Sequence, residues 1–338
     1  MNVREKLEQR EFQFLSDIAT KSANSKGRKV KEEQSDMRTD FQRDRDRILH
    51  SKAFRRLKHK TQVFLSPFDD HFRTRLTHTL EVSQIARSIS RALDLNEDLT
   101  EAISLGHDLG HTPFGHCGEG VLNELVPGGF NHNIQSVRVV EILEHLNLCQ
   151  ETIDGIKTHS WGYKPTTPEG KVVQLADKIA YINHDIEDSI RAGVITESDL
   201  PKHCIEYFSS VQSKRLSKMI HEIINNSIGK EDISMSEEAW GYTTELRAWM
   251  FEHVYNDTST AKLEENKARG VIRALFNYYC DVLKDVCPED KIIRVVTDYI
   301  SGMTDRFAVE RYKELFIPTG LKCNAKDDNL YKLVNSEL

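Results

Sequence analysis

No apolar run in these 338 residues approaches the roughly 18–20 residues that crossing a bilayer requires. The start, MNVREKLEQREF, carries charge where an export signal needs an apolar stretch. A cytoplasmic protein without membrane contact is therefore expected. The six cysteines, at 117, 149, 204, 280, 287 and 323, include no CxxC pair. That excludes a zinc ribbon and a dithiol redox motif, and the thiols are expected reduced. Strand signals are scarce, with a short hairpin around 155–175 the single candidate. There is no internal repeat and no low-complexity tract. Basic residues do not dominate: 46 Lys and Arg against 53 Asp and Glu leave a net charge of −7. That argues against a general nucleic-acid coat, while a local basic patch stays open. The length sets a prior of about two domains.

Apolar residues recur instead at helical spacing. Leu76, Leu80, Ile85, Ile89 and Leu93 fall on one stripe of a long helix. Leu99, Ala102, Ile103 and Leu105 start another, with Asn96 as its cap and Asp98 in its first turn. Gly110, Pro113 and Gly115 stop a helix and force a turn, after which Val121–Leu125 resumes. Further helices are predicted over Ile134–Leu146, Val172–Ile190, Cys204–Ile224, Ala261–Val286 and Ile292–Tyr312. Residues 20–40 are polar and without apolar periodicity, which predicts a mobile loop. The expectation is an all-α protein: an N-terminal segment over 1–40, a helical bundle over 41–200, and an additional helical C-terminal half over 201–338.

The chain has 14 histidines, and six of them fall between 71 and 132. The densest string, GHDLGHTPFGHCGEG at 106–120, holds the adjacent pair His107-Asp108. His78 lies one helix upstream and Asp177 far downstream. Imidazole nitrogen with carboxylate oxygen suits a borderline divalent ion such as Zn, Mn, Fe or Ni. Neighbours on a helix differ by about 100°. His107 and Asp108 can therefore share an ion only if it lies near the bundle axis, where helices carrying His78 and Asp177 can reach it. Four ligands on an octahedral ion leave about two positions open, as catalysis requires. The bland alternative for each residue is a surface or hydrogen-bonded core position.

Other polar residues sit at telling intervals. Glu119 follows His116 by three, so the carboxylate can orient the imidazole for general acid work. His111 follows His107 by four, and Arg75 precedes His78 by one turn. Asp177, Tyr181, His184, Asp185 and Asp188 trace nearly one stripe. Residues 38–75 hold eleven Lys and Arg against five Asp, a local surplus of +6. That surplus reads either as a field drawing in a polyanion or as solvated, paired charge.

Six blocks in order carry a resemblance: HSKAFRRLKHKTQV at 50–63, RTRLTHTLEVSQIAR at 73–87, HDLGHTPFGHCGE at 107–119, FNHNIQSVR at 130–138, ADKIAYINHDIEDSIRAG at 176–193 and DYISGMTDRFA at 298–308. Together they resemble the deoxynucleoside-triphosphate triphosphohydrolases of the HD superfamily. The resemblance implies an HD-domain helical bundle over 41–200, with residues 201–338 completing a nucleotide pocket and an oligomer interface. It implies water attack on the α-phosphate of a dNTP, giving deoxynucleoside and tripolyphosphate. It implies one divalent metal (Mn, Mg, Fe, Ni or Zn) on His78, His107, Asp108 and Asp177. His116 and Glu119 match catalytic positions, and His111 and His132 match positions near phosphate. Arg75 and Lys178 match polyphosphate contacts. Tyr181, Asp185 and Gln62 match positions that read the sugar, with Tyr181 where a ribose 2′-OH would clash. The GMTD at 302–305 resembles a helix start near the nucleobase, with Asp305 as a candidate cap. A homo-oligomer is implied, and the chain lacks recognisable allosteric nucleotide sites.

Two rival readings fit parts of the pattern. An HD phosphomonoesterase or phosphodiesterase needs only the His, His-Asp, Asp set. A dormant nucleotide or single-stranded nucleic-acid binder draws on the basic stretch at 38–75.

Overall fold

In the computed structural model, which describes residues 1–62, 72–255 and 260–318, helix signals prevail. The chain is all-α. Its helices are α1 (Val3–Phe14), α2 (Asp40–His50), α3 (Lys52–Arg56), α4 (Arg75–Ala92), α5 (Glu97–Gly106), α6 (Gly115–Leu125), α7 (His132–Arg138), α8 (Gln150–Thr158) and α9 (Pro168–Arg191). They continue as α10 (Lys202–Phe208), α11 (Gln212–Ser227), α12 (Glu237–Met250), α13 (Thr260–Leu283), α14 (Glu289–Ser301) and α15 (Asp305–Phe316). Among the described residues, pairing is confined to two isolated bridges, Arg28 with Cys149 and Thr61 with Thr74.

Local chemistry sets the starts. Asn96 accepts from the backbone N–H of Asp98 and Leu99, as its cap signal predicts. Thr167 caps α9, and Pro168 follows where its missing N–H costs nothing. The hairpin expected around 155–175 is absent, because α8 runs to Thr158 and α9 starts at Pro168. Ile153 and Ile156, three apart, both turn to the apolar cluster that holds Ala102 and Leu105 of α5. A strand would have sent them to different faces.

Packing buries three apolar clusters. The largest joins Val82, Ile85 and Ile89 of α4 to Val172, Ile179 and Ile186 of α9, and extends to Met219 of α11 and Leu246 of α12. Leu80, expected on the α4 stripe, faces outward and is 47% exposed. A second cluster seats α6 through Val121 and Leu122 against Ile272 and Leu275 of α13 and Val296 and Ile300 of α14. A third gathers Ile48, Leu57, Ala102, Leu109 and Ile156. The C-terminal half is thus divided, with α11 and α12 serving the α4–α9 core and α13–α15 backing α6.

Three long predicted helices are interrupted. Ser209, at φ 108°, separates α10 from α11. Residues Val139–Leu143 close a π-helical turn after α7. Gly302–Thr304 separates α14 from α15. Residues 20–40, expected as a mobile loop, are tied to the core by polar contacts that carry no apolar period. Arg28 forms an ion pair with buried Asp44, which also accepts from the Cys149 N–H (2.8 Å) and the Thr152 hydroxyl (2.7 Å). Thr20 donates to Glu169 through backbone and hydroxyl (3.0 and 2.7 Å). Glu151 accepts from Ser25 and Lys26 (2.9 and 2.6 Å).

Candidate metal centre and active site

The site forms where α5 ends. Gly106 closes the helix and His107 is its C-cap. Gly110 lets α7 approach the following turn: a Cβ there would stand 2.2 Å from the Ser136 nitrogen. Ser136 accepts from the Gly110 N–H (2.9 Å) and donates to the His107 carbonyl (2.7 Å). His107 and Asp108 are therefore held by backbone on both sides.

His107 Nδ1 lies 2.7 Å from the Ser104 carbonyl, which fixes the proton on that nitrogen. Its Nε2 is left buried with no hydrogen-bond partner. Around that atom stand Asp108 Oδ2 at 3.5 Å and Asp177 Oδ1 at 3.8 Å, while His78 Nε2 lies 3.1 Å from the same Asp177 oxygen. Adjacent ligands of an octahedral ion with bonds of about 2.1 Å sit about 3 Å apart. The four groups are within a small contraction of that arrangement. An orphaned imidazole nitrogen beside two carboxylates and a second imidazole fits a divalent cation. Three of the four are buried, and the Asp177 side chain, 22% exposed, is the open edge.

Electrostatics keep these groups ready to ligate. Burial alone would raise Asp108, but His107, Arg75, His111 and His132 hold it well below the usual carboxylate range. Asp177 is likewise lowered against its burial, by the His78 hydrogen bond and the nearby imidazoles. Burial, then Arg75 and His132, push His111 well below the ordinary histidine value. Both ring nitrogens of His111 lack hydrogen-bond partners.

Two further histidines belong here that sequence reasoning did not assign to the site. His159, the C-cap of α8, repeats the geometry of His107: its Nδ1 is 2.7 Å from the carbonyl three residues back, on Ile156. Its ring centroid lies 5.0 Å from that of His107, and its Nε2 is 3.1 Å from His132 Nε2. Burial, with His107 and His132 close by, pushes it down to about 3, so it is neutral. No sequence signal marked it, because α8 fell where a hairpin was expected. His184 places Nδ1 3.2 Å from His78 Nδ1 and Nε2 3.4 Å from Glu81. A Glu81–His184–His78 relay of this kind orients His78 with Nε2 toward Asp177.

A second cluster adjoins the first. Glu119 Oε1 accepts from the backbone N–H and from Nδ1 of His132, each at 2.8 Å. Its Oε2 lies 3.1 Å from His116 Nδ1 and 3.7 Å from His111 Nε2. Burial would raise Glu119, yet His132, His116 and His111 bring it well below its ordinary value. His132 is desolvated but raised overall by Glu119. The His116 side chain, 67% exposed, is the outward member.

Arg75 is buried, and its guanidinium donates to Asp108 Oδ2 at 2.6 Å. Gln62 is buried beside it, its carbonyl 3.5 Å from Arg75 and its side-chain oxygen without a partner. Lys178 places Nζ 4.2 Å from the Trp161 ring centroid, and burial pushes it down to about 8. Asp185 is buried and Tyr181 half-buried on α9, four and eight residues past Asp177 in reverse order.

Asp305 is not the cap of α15. Thr304 is, and the Asp305 carboxylate instead accepts from the N–H of Thr61 (2.8 Å) and of Phe114 (2.9 Å). Lys60, buried in the basic stretch, donates to the carbonyls of His111 and Ser301. Lys60 and Asp305 thus tie the turn at His111–Phe114 to α14 and α15. Much of the basic surplus at 38–75 is neutralised by carboxylates outside that window. Arg45 pairs with Asp98, Arg47 with Glu32, and Arg73 with Glu81, Glu187 and Asp188.

Residues 75–182 match the HD domain family, and residues 233–314 match the phosphohydrolase-associated domain. A deoxyguanosinetriphosphate triphosphohydrolase-like protein of Caldanaerobacter subterraneus subsp. tengcongensis is 57% identical over 331 residues, covering 94% of this chain and 97% of that one. Proteins with the same description from Desulfatibacillum aliphaticivorans and Clostridium tetani are 48% and 46% identical, each over 94% of this chain and over 99% and 97% of their own lengths.

Proposed function

This chain belongs to the deoxyguanosinetriphosphate triphosphohydrolase-like proteins, HD-domain phosphohydrolases, and on that premise we propose that it cleaves deoxynucleoside triphosphates into deoxynucleoside and tripolyphosphate. The observation that carries the reading is the orphaned Nε2 of His107, set among His78, Asp108 and Asp177 and flanked by the Glu119 histidine cluster. His78, His107, Asp108 and Asp177 would hold a divalent ion: Mn, Mg, Fe, Ni or Zn. Such an ion supplies Lewis-acid polarisation of a phosphoryl oxygen. Arg75 balances the charge on Asp108 and keeps that carboxylate ionised. His116, oriented by Glu119, gives a proton to the leaving 5′ oxygen. His111 and His132 line the path between that proton and the phosphate. Tyr181 packs beneath the deoxyribose where a 2′-OH would clash, and Asp185 with Gln62 accepts from and orients the 3′-OH. The relatives' description favours dGTP among the four substrates. The same reading makes the protein a cytoplasmic homo-oligomer. Among the described residues no helix is long and apolar enough to cross a membrane.

Purified protein incubated with each dNTP and Mn or Mg, with products separated by ion-exchange chromatography, tests the proposal. Deoxynucleoside with tripolyphosphate is expected. Deoxynucleoside monophosphate with pyrophosphate, stepwise release of orthophosphate, or no turnover of any dNTP contradicts it.

A further inference from the structure

His159 is buried beside the centre, yet it belongs neither to the ligand quartet nor to the Glu119 cluster. Its hydrogen bonds fix where its proton lies. The Ile156 carbonyl, 2.7 Å from Nδ1, can only accept, so Nδ1 carries the proton. Burial, with His107 and His132 close by, keeps the ring neutral, and Nε2 is left as an acceptor. That atom faces His132 Nε2 at 3.1 Å, and two imidazole nitrogens at hydrogen-bond distance need one proton between them. His132 must supply it. On the far side of the same ring, Nδ1 lies 2.8 Å from Glu119 Oε1, a carboxylate oxygen that can only accept. His132 therefore donates from both nitrogens. Ser160 Oγ flanks the contact at longer range, 3.4 Å from His132 Nε2 and 3.3 Å from His159 Nε2. The His111 ring closes one face of His132, stacked at 4.6 Å and 22° from parallel. Glu119 Oε2 then reaches His116 Nδ1 at 3.1 Å. One chain of contacts runs from the Ile156 carbonyl through His159, His132 and Glu119 to His116.

We propose that His159 is a positioning residue for the general acid: by accepting from His132 Nε2 it fixes the ring that fixes Glu119, and Glu119 sets His116. The role rests on the reaction proposed above, in which His116 gives the proton. Without the His159 acceptor, the Nε2–H of His132 is buried and unpaired, which is costly. The nearest acidic oxygen left to it is Asp108 Oδ1, at 4.0 Å. A ring that tilts toward Asp108 draws Nδ1 away from Glu119. The released carboxylate then swings toward His111, whose Nε2 is 3.7 Å from Oε2, and His116 loses its orienting partner. His159 thus aims the acid and keeps His132 off a residue of the ligand quartet.

Two variants of the full chain separate the acceptor from the packing. H159Q keeps an oxygen acceptor near the place of Nε2, and H159L fills the space without one. With a dNTP and excess Mn, H159L is expected to lower kcat about tenfold to a hundredfold, with KM and bound metal little changed. H159Q should recover most of that loss, which a residue needed only for packing would not show. The double variant H159L/H116A should be no slower than H116A, because His159 acts through His116. Equal losses in H159Q and H159L, or additive losses in the double variant, overturn the proposal. Loss of metal from H159L overturns it too, by making His159 a ligand. Should H159L not fold, or the wild type turn over no dNTP, the ring nitrogens of wild type decide. In Mg-loaded protein with isotope-labelled histidine, nuclear magnetic resonance at neutral pH should find His159 protonated at Nδ1 alone and His132 at both nitrogens. A proton on His159 Nε2 overturns the proposal. Failure of the reaction is read separately. A wild type that makes deoxynucleoside, with H159Q and H159L equally slow, removes the positioning role alone. A wild type that makes monophosphate, with H159L slow and H159Q restored, removes the reaction alone.

Discussion

Replacing His107 with alanine is expected to empty the metal site and to lower kcat/KM at least about a thousandfold, the scale of a lost Lewis acid. Of the four proposed ligands, His107 has the most completely determined geometry. Its Nδ1 proton is committed to Ser104, its backbone carbonyl to Ser136, and its Nε2 to nothing within the protein. Removing the ring leaves Asp108 and Asp177 without the imidazole between them, at the 3.5 and 3.8 Å separations now bridged through Nε2. Three ligands with two neighbouring carboxylates bind a divalent ion more weakly and without the preferred geometry. The helix end itself should persist, because Gly106, Gly110 and the Ser136 bonds stay in place. Elemental analysis of dialysed H107A protein together with initial rates in excess Mn checks this. Loss of both metal and rate is expected. Full metal content with near wild-type turnover would remove His107 from the centre.

Glu119→Gln should cost about 10²–10⁴ in kcat while leaving bound metal unchanged. Glu119 does not belong to the ligand quartet, yet one carboxylate serves three imidazoles: His132 at 2.8 Å, His116 at 3.1 Å and His111 at 3.7 Å. A carboxamide presents one acceptor and one donor where two acceptors are needed. It frees either His116 or His132 to turn and removes the negative charge that favours protonated His132. If Glu119 acts by orienting His116, the double variant E119Q/H116A should be no slower than the slower single variant, because the two residues act as a unit. Rates of the four proteins, with metal content measured alongside, form the cycle. Additive losses would separate the two residues, and loss of metal in E119Q would move Glu119 into the ligand set.

The parts of this molecule that the sequence made legible are those whose chemistry is local or whose period is apolar. The all-α class followed from apolar spacing on α4, α5 and α9. The Asn96 cap and the break at Gly110, Pro113 and Gly115 could be read because each acts within a few residues of itself. Interactions that join distant positions through polar atoms were not legible. Arg28 reads as one basic residue in a polar stretch, and its partner Asp44 is 16 residues on. Asp305 looks like a helix cap until its carboxylate is seen holding Thr61 and Phe114. His159 lies in no motif, and His184, though on the Asp177 stripe, had no role there; both join the centre because α8 and α9 pack beside α5 and α4. The pairs Arg45–Asp98 and Arg73–Asp188 were hidden for the same reason: these acids lie far away in sequence. The break at Gly302–Thr304 does not show in the apolar period, which α14 and α15 carry on either side of it; the GMTD resemblance to a helix start was its one mark.

Where a metal sits is the most direct test of the whole account. His111, His116 and Glu119 form a neighbouring group that could also hold an ion, as do Asp108, His111 and His132. A crystal of protein prepared with Mn, measured at the Mn absorption edge, distinguishes them. The account predicts one anomalous peak per chain, bounded by His78 Nε2, His107 Nε2 and the carboxylates of Asp108 and Asp177. A peak seated instead among His111, His116 and Glu119, or no peak at any of these groups, would contradict it.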